Sequence, residues 1–427
     1  MTGDAMAVGL KTRVREVALD TAQQAAIRLF AARGEKVAKL MTPAGLANPY
    51  PIYDELRAGP GIHEAKRFGV WLLASHALVS AAVRDDRLSV DNRLIAGNDI
   101  RPGEHFNDHE MILRMDPPDH TRIRRLVGKA FTPKAVAAMR PRIELVSDEL
   151  LDGVGRSFDV VDDYAVPLTV RVICDILGVP DRDWRRFRSW GDDVTRTMGV
   201  NVSRADVRIA EAALGELAEF LVSHIRTKRV DPGPDLLSAM IAAKEEDGDR
   251  LTDRELLANT FLILLAGFET TVNLIGNGVV ALMESRDQWE RLCADSTLVP
   301  NAVEELLRFD SPVQFTGRNV PDDVHIGGFI VPKGKQLMLL LAAANHDPAV
   351  FDEPRRLDTT RANARDHVAF SSGPHYCLGA SLARLEGEVA FRSLSTRLPS
   401  MQVSGRPARK RTDLLRGYQR ISVDAAT

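Results

Sequence analysis

One cysteine stands in surroundings that suit a ligand. Cys377 lies in Phe370-Ser371-Ser372-Gly373-Pro374-His375-Tyr376-Cys377-Leu378-Gly379, and a helical segment, Ala380 to Leu398, follows. The unpaired amides and the dipole of a helix start favour an anion, so this thiol is expected to ionise readily. Gly373 and Gly379 flank the sulfur without side chains, so a large flat group can approach the backbone. A cysteine taken alone reads as a buried small hydrophobe.

Three other clusters carry chemistry. Leu251 to Ser285 contains no proline and reads as one long helix, with Thr252 and Glu255 as a capping box at its start. Its middle is apolar all round, which marks a buried helix, so Glu269 and Thr270 enter an apolar interior. The plain reading of that pair is satisfaction by the backbone, since a threonine can bond back to the preceding turn. Glu305 and Arg308 are three apart on a helix and share a face, among Val303, Leu306 and Leu307. In Met115-Asp116-Pro117-Pro118-Asp119-His120-Thr121-Arg122-Ile123-Arg124-Arg125, Asp116 reads as an N-cap, and His120 and Arg124 lie on one helix face. Without context that face is basic and solvated.

The order Phe370, two residues, Gly373, one residue, His375, one residue, Cys377-Leu378-Gly379, two residues, Leu382-Ala383-Arg384, one residue, Glu386 resembles the cysteine-ligand signature of the cytochrome P-450 family. Ser371 stands where that family usually has glycine. Ala266-Gly267-Phe268-Glu269-Thr270-Thr271 resembles the family's oxygen-activating segment. The likeness implies room over a haem at Gly267, a local widening of the helix that admits O2, and an acid and alcohol pair in Glu269 and Thr270. Such a pair delivers the protons that oxygen must take up before its O–O bond breaks. Glu305 and Arg308 resemble the family's Glu-x-x-Arg motif, with Arg356 at the position of the further arginine and Leu357 in place of the usual Phe. By the same likeness His120, Arg124, Arg318 and His375 hold the haem propionates. Phe370, Ala266, Gly267, Thr270 and Gly379 contact the cofactor, haem b (iron protoporphyrin IX), and Cys377 ligates its iron.

The resemblance implies a mainly α fold with small β-sheets, the haem between the long central helix and the helix that follows the cysteine loop. It covers the chain from near Ala47 onward, so the expected division is an N-terminal extension over 1–40 and a monooxygenase domain over 41–427. The implied activity is insertion of one oxygen atom from O2 into a largely apolar small molecule. Electrons come from NAD(P)H through ferredoxin reductase and ferredoxin, because no flavin or iron–sulfur motif is visible. Two alternatives stand: a peroxide-driven peroxygenase of the same fold, and a non-catalytic haem protein that binds or senses a ligand. Arg122, Arg125 and Lys129 are expected to be free and, with Arg384, to form a basic docking face for an acidic ferredoxin. Expected pocket walls are Leu94 and Phe106, Leu262 to Ala266, Val313 to Thr316, and Arg416 to Tyr418.

Composition agrees with an ordinary globular protein: 27% charged and 44% hydrophobic residues over 427 positions are enough for a large core. A net charge of -3 gives no case for nucleic acid. Cys174, Cys293 and Cys377 lack the short spacings of a zinc site, and their odd number argues against a disulfide framework. Together with the absence of a secretory pattern this suggests a cytoplasmic protein. In Met1 to Leu40 no apolar run reaches membrane length, because Asp20, Gln23 and Gln24 interrupt it. The segment reads as a surface helix or loose tail, or as a helix lying on a membrane surface.

Elsewhere the pattern places helices over Tyr50 to Leu56 and Ser75 to Arg84, a hairpin over Gly61 to Ala74, and mostly helix from Pro133 to Ala243. Short strands are expected over His325 to Val331 and Gln336 to Leu341.

Overall fold

Long apolar helical runs must bury against one another, and the longest of them sets the frame. The computed structural model describes residues 19–94, 110–128, 131–198, 202–244 and 250–425. The principal helices, in chain order, are α1 (Tyr50–Arg57), α2 (His76–Ala82), α3 (Asp119–Gly128), α4 (Arg140–Gly153), α5 (Val166–Ile176) and α6 (Trp184–Thr195), then α7 (Arg204–Val230), α8 (Asp253–Glu284), α9 (Arg286–Ala294), α10 (Val299–Phe309) and α11 (Ala380–Arg397).

α8 begins at the expected capping box. The Thr252 hydroxyl accepts from the Glu255 amide at 3.2 Å, and the Glu255 carboxylate accepts from the Thr252 amide at 2.8 Å. Val272, Leu274 and Ile275 are buried on different sides of α8, which α5, α7, α10 and α11 surround. Each such side chain contributes roughly 1.5–3 kcal/mol. Among the described residues α8 is the one helix long and apolar enough to cross a bilayer, but 78% of its apolar window is buried within the protein. Gly278 sets how closely α8 meets α11, since a Cβ there would lie 2.4 Å from the Phe391 ring. That approach brings the helix behind the cysteine loop against the central helix.

The β-structure is small. Strands β1 (Ile62–Ala65), β2 (Val70–Leu73), β4 (Thr316–Asn319) and β7 (Gln336–Leu339) form one sheet in the order β1-β2-β7-β4. β1–β2 and β4–β7 are antiparallel, and β2–β7 is parallel with Val70 opposite Gln336. β3 (Ser157–Asp159), β11 (Ser422–Asp424) and β8 (Gln402–Val403) form a second sheet, β11 at its centre. β9 (Ala408–Arg409) and β10 (Tyr418–Arg420) pair as a hairpin. The stretch expected as one strand from His325 to Val331 is itself a hairpin, β5 (Val324–Ile326) with β6 (Phe329–Val331). Gly327 and Gly328 both take positive φ at its turn, a conformation glycine adopts without cost.

Residues 19–32 are helical. Ile27 packs with Val37, Met41, Tyr53 and Leu56 in one buried cluster, so this part of the extension shares a core with α1. Asp20 also accepts from Arg204 at the start of α7 at 2.7 Å.

Candidate active site

The cysteine loop is closed on itself and gripped from three sides. The Cys377 amide donates to the Phe370 carbonyl at 3.0 Å and the Tyr376 amide to that of Gly373 at 3.1 Å. Ser371 and Gly373 both lie in the left-handed region, at φ 59 and 68. The serine therefore keeps the glycine-type turn. It does so with a strained backbone and a buried hydroxyl that has no partner among the described residues. Arg84 donates to the Ser372 hydroxyl at 2.8 Å, Arg124 to the Tyr376 carbonyl at 2.6 Å, and Arg384 to the Tyr376 hydroxyl at 3.0 Å. The Arg384 guanidinium also lies 4.6 Å over the half-buried Phe370 ring.

Arg384 is itself anchored. It donates to Glu304 of α10 at 2.8 Å, and His367 bonds the same carboxylate at 3.1 Å. The Ala369 amide donates to His367 Nδ1, which leaves Nε2 to carry the proton toward Glu304. Burial alone would raise the Glu304 carboxyl, but the bonds from His367 and Arg384 hold it at about 2.

The expectation of a readily ionised thiol is corrected. Burial raises the Cys377 thiol above its usual value, and the Gly379 amide on the sulfur and the charges of Arg124 and Arg384 offset this only in part. α11 starts at Ala380, beyond the cysteine, and desolvation outweighs the helix end. Cys377 keeps accessible surface although the protein around its sulfur is dense enough to desolvate it, which is the signature of a concavity. A thiolate here needs a bound cation.

Beside the sulfur lies a cluster of donors with too little negative charge. The His120 and His375 rings are 4.2 Å apart, and His120 is 2% exposed with an Nε2 that has no partner among the described residues. Burial, then His120, Arg318 and Arg124, hold His375 at about 3. Burial lowers Arg318 to about 10, with Asp116 pulling the other way. Asp116 does not cap α3 as expected, because its carboxylate accepts from the Ser89 hydroxyl and the Val90 amide. Two arginines and two imidazoles converge here, and among the described residues no carboxylate is hydrogen-bonded to them, which suits a ligand that brings two. A Cβ on Gly379 would meet nothing within 4 Å, so there is open room next to the sulfur as well. The donor set, the orphaned Nε2 and this cradle fit a haem.

On α8 the open strip is Leu262, Ala266 and Thr270, four residues apart on one face. The expected widening is absent, for Asp253–Glu284 is α-helical throughout. The Thr270 hydroxyl donates back to the Ala266 carbonyl at 2.8 Å and that of Thr271 to Gly267 at 3.1 Å. Gly267 makes room for α5 rather than for a cofactor, since a Cβ there would lie 2.9 Å from Ile173. Glu269 is 2% exposed. It is ion-paired with Lys410 and accepts from Asn273 at 3.5 Å. Lys410 and Asn273 escaped the sequence reading. Asn273 had a signal in its spacing of four from Glu269, whereas Lys410 is 141 residues away.

The further arginine is Arg361, not Arg356. Arg308 and Glu305, both fully buried, form a two-pronged pair at 2.7 and 2.8 Å. Arg361 then reaches both Glu305 oxygens at 3.1 Å. Arg356 has a side chain 60% exposed and pairs with Glu353 and Asp358. Its place in the network is its carbonyl, which accepts from Arg308 and Arg361.

Other expectations are corrected likewise. Arg122 is not free but paired with Glu255. Arg384 is paired with Glu304, so two of the four residues expected to form the basic face carry a carboxylate partner, and Lys129 lies outside the described residues. Phe106 also lies outside them. Gln314, Phe315 and Arg416 line a concavity shared with Val37, Met41 and Tyr53 rather than the cysteine side. Arg416 is bound to Asp310 at 2.6 Å and to the carbonyls of Leu46 and Ala47.

A family model described as Cytochrome P450 matches residues 154–397, and this span takes in the central helix and the cysteine loop. The chain belongs to the cytochrome P450 family. It is 43% identical over 384 residues to the vitamin D(3) 25-hydroxylase of Pseudonocardia autotrophica, covering 88% of this P450 and 93% of the relative. It is 37% identical over 390 residues to the 6-deoxyerythronolide B hydroxylase of Saccharopolyspora erythraea, covering 88% and 95%. Ligand-free CYP164A2 of Mycobacterium smegmatis superposes with a TM-score of 0.84 at 38% identity, over 91% of this chain and 99% of that one. This P450 is accordingly a haem monooxygenase that uses O2 and a redox partner protein.

Proposed function

We propose that this P450 inserts one oxygen atom of O2 into a C–H or C=C bond of a largely apolar molecule, with electrons from NAD(P)H through a ferredoxin reductase and a ferredoxin. The observation that carries the reading is Cys377, its sulfur bonded by the Gly379 amide, beside the cluster of His120, Arg124, Arg318 and His375. Cys377 would hold the iron of a protoporphyrin IX and the cluster its propionates, while haem when bound supplies the binding and activation of oxygen.

The remaining work falls to α8. Thr270 spends its hydroxyl hydrogen on the Ala266 carbonyl and so presents lone pairs to the open strip. It can therefore accept a hydrogen bond from water or from a protonated oxygen. No hydrogen bond joins Glu269 to Thr270 among the described contacts, so a proton passing between them crosses water. Leu262 and Ala266 offer the substrate an apolar wall. Two relatives are named for hydroxylation of vitamin D(3) and of 6-deoxyerythronolide B, which supports a substrate of that apolar kind.

Cys377→Ser should abolish the long-wavelength carbon monoxide band of reduced thiolate-bound haem, while Cys174→Ser and Cys293→Ser keep it. Survival of the band in Cys377→Ser would remove the carrying observation. With the reconstituted redox chain, Thr270→Ala should consume NAD(P)H but release more peroxide per product. Unchanged coupling would exclude Thr270 from proton delivery.

A further inference from the structure

Glu386, on α11, is a buried acid with no cation beside it among the described residues. It is 2% exposed, and among the described residues its Oε2 has no partner and its one bonding neighbour is Thr271 of α8. Among the described residues no cation pairs with it, because the charged groups on the elements packed around it are engaged elsewhere. On its own helix, Arg384 holds Glu304 and Glu388 takes Arg140 from the start of α4. On α10, Glu305 and Arg308 hold each other, and on α8 Glu269 is held by Lys410. Arg286 of α9 bonds the carbonyls of Met401 and Pro399, and Lys134, on the short helix Pro133–Ala138, is exposed.

Donor counting then decides the state of the acid. Thr271, also 2% exposed, has one hydroxyl hydrogen and donates it to the Gly267 carbonyl at 3.1 Å. Toward Glu386 it has only lone pairs left, so a good bond requires the carboxyl to bring its own hydrogen. We propose that Glu386 is a positioning residue held as the neutral acid, its O–H donated to Thr271 and through it tied to the Gly267 carbonyl, so that the helix behind the cysteine sets the turn of α8 that carries Thr270. Burial drives the same way, raising this carboxyl well above its usual range, while a lowering by Thr271 would need the hydroxyl hydrogen that the Gly267 carbonyl already takes. The inference deepens the proton-delivery reading and rests on it for its functional half alone.

The first test reads the acid directly. In holoenzyme carrying glutamate with heavy carbon at the side-chain carboxyl, infrared spectra at neutral pH should show a label-sensitive protonated-acid carbonyl band. Glu386 is the one described glutamate whose carboxyl is raised, so the band should vanish in Glu386→Gln. Absence of the band in the wild type overturns the proposal even if no variant folds.

The second test is linkage. An acid raised in the folded state stabilises fully below its unfolded value and loses that contribution as pH rises. From about pH 4.3 up to its folded value, the wild-type unfolding constant should grow about tenfold per pH unit relative to Glu386→Gln. Parallel pH profiles would overturn it.

The third test separates position from packing. Glu386→Gln still offers a donor to Thr271 and should keep NAD(P)H coupled to product, whereas Glu386→Leu should lose coupling. Equal coupling in both sinks the positioning role. If Thr270→Ala alone left coupling unchanged, proton delivery would fail while the infrared band stood.

Discussion

Arg361→Ala is the sharpest probe of how the cysteine loop is held. The Arg361 side chain is 8% exposed, and its Nε reaches both oxygens of a fully buried Glu305. Its other nitrogens donate to the carbonyls of Asp352 at 2.7 Å and Arg356 at 3.1 Å. Truncation strips one of two cations from a buried carboxylate, removes the donor to the Asp352 carbonyl and leaves the Arg356 carbonyl with Arg308 alone. Breaking a buried pair costs roughly 3–5 kcal/mol. Arg308 remains on Glu305, as does the Asp358 amide at 3.0 Å, so the lower end applies, about 3 kcal/mol. That is roughly a hundredfold in the unfolding constant. Arg356→Ala removes an exposed pair and should cost at most about 1 kcal/mol. Urea unfolding of both variants, followed by circular dichroism and by the carbon monoxide band, gives the two values. Equal losses, or a larger loss in Arg356→Ala, would refute the assignment of the third arginine.

Two further outcomes follow from single residues. Ser371→Gly relieves a left-handed backbone and removes an unpartnered buried hydroxyl, so it should stabilise the protein by about 1 kcal/mol; a lower melting temperature would count against that strain. Burial alone would raise the Asp310 carboxyl, but Arg416 and Arg409 hold it at about 2 against an ordinary 3.8. The stability it adds is present above the ordinary value and is lost as pH falls through about 2. It amounts to roughly 2 kcal/mol. Asp310→Asn should flatten that part of the acid-unfolding profile, and an unchanged profile would show that the pairing is not what titrates.

Features set by near neighbours were legible in the sequence. The Thr252–Glu255 capping box closes within three residues, and the Glu305–Arg308 pair within three more. The back-bond from Thr270 to Ala266 was readable too, as the plain alternative to a catalytic alcohol. What the chain could not disclose was set by distant segments. Arg356 and Arg361 lie in one short basic stretch, and only the path of the backbone decides which guanidinium turns inward to Glu305. The state of Cys377 was misjudged because a helix end is visible in a sequence while the density of protein around a sulfur is not. Glycine carried a similar ambiguity: Gly267 signals close approach, but whether of a cofactor or of Ile173 depends on where α5 lies.

The ion pair between Glu269 and Lys410 has a consequence for the order of assembly. The helical frame around α8 can form largely from contacts that do not involve the β9–β10 hairpin, yet it buries a carboxylate whose counter-charge arrives from 141 residues downstream. Until the hairpin docks, that frame holds an uncompensated charge, so closure of the helices and docking of the hairpin must be coupled. The same coupling works in the native protein. Gly417 lies against Asn273, and the Arg416 carbonyl accepts from Asn277, so one sheet edge covers successive turns of α8. Exposing Glu269 to solvent therefore requires lifting this edge rather than melting a helix. Amide exchange at Lys410, whose N–H donates to the Gly417 carbonyl at 3.0 Å, should report how often that happens.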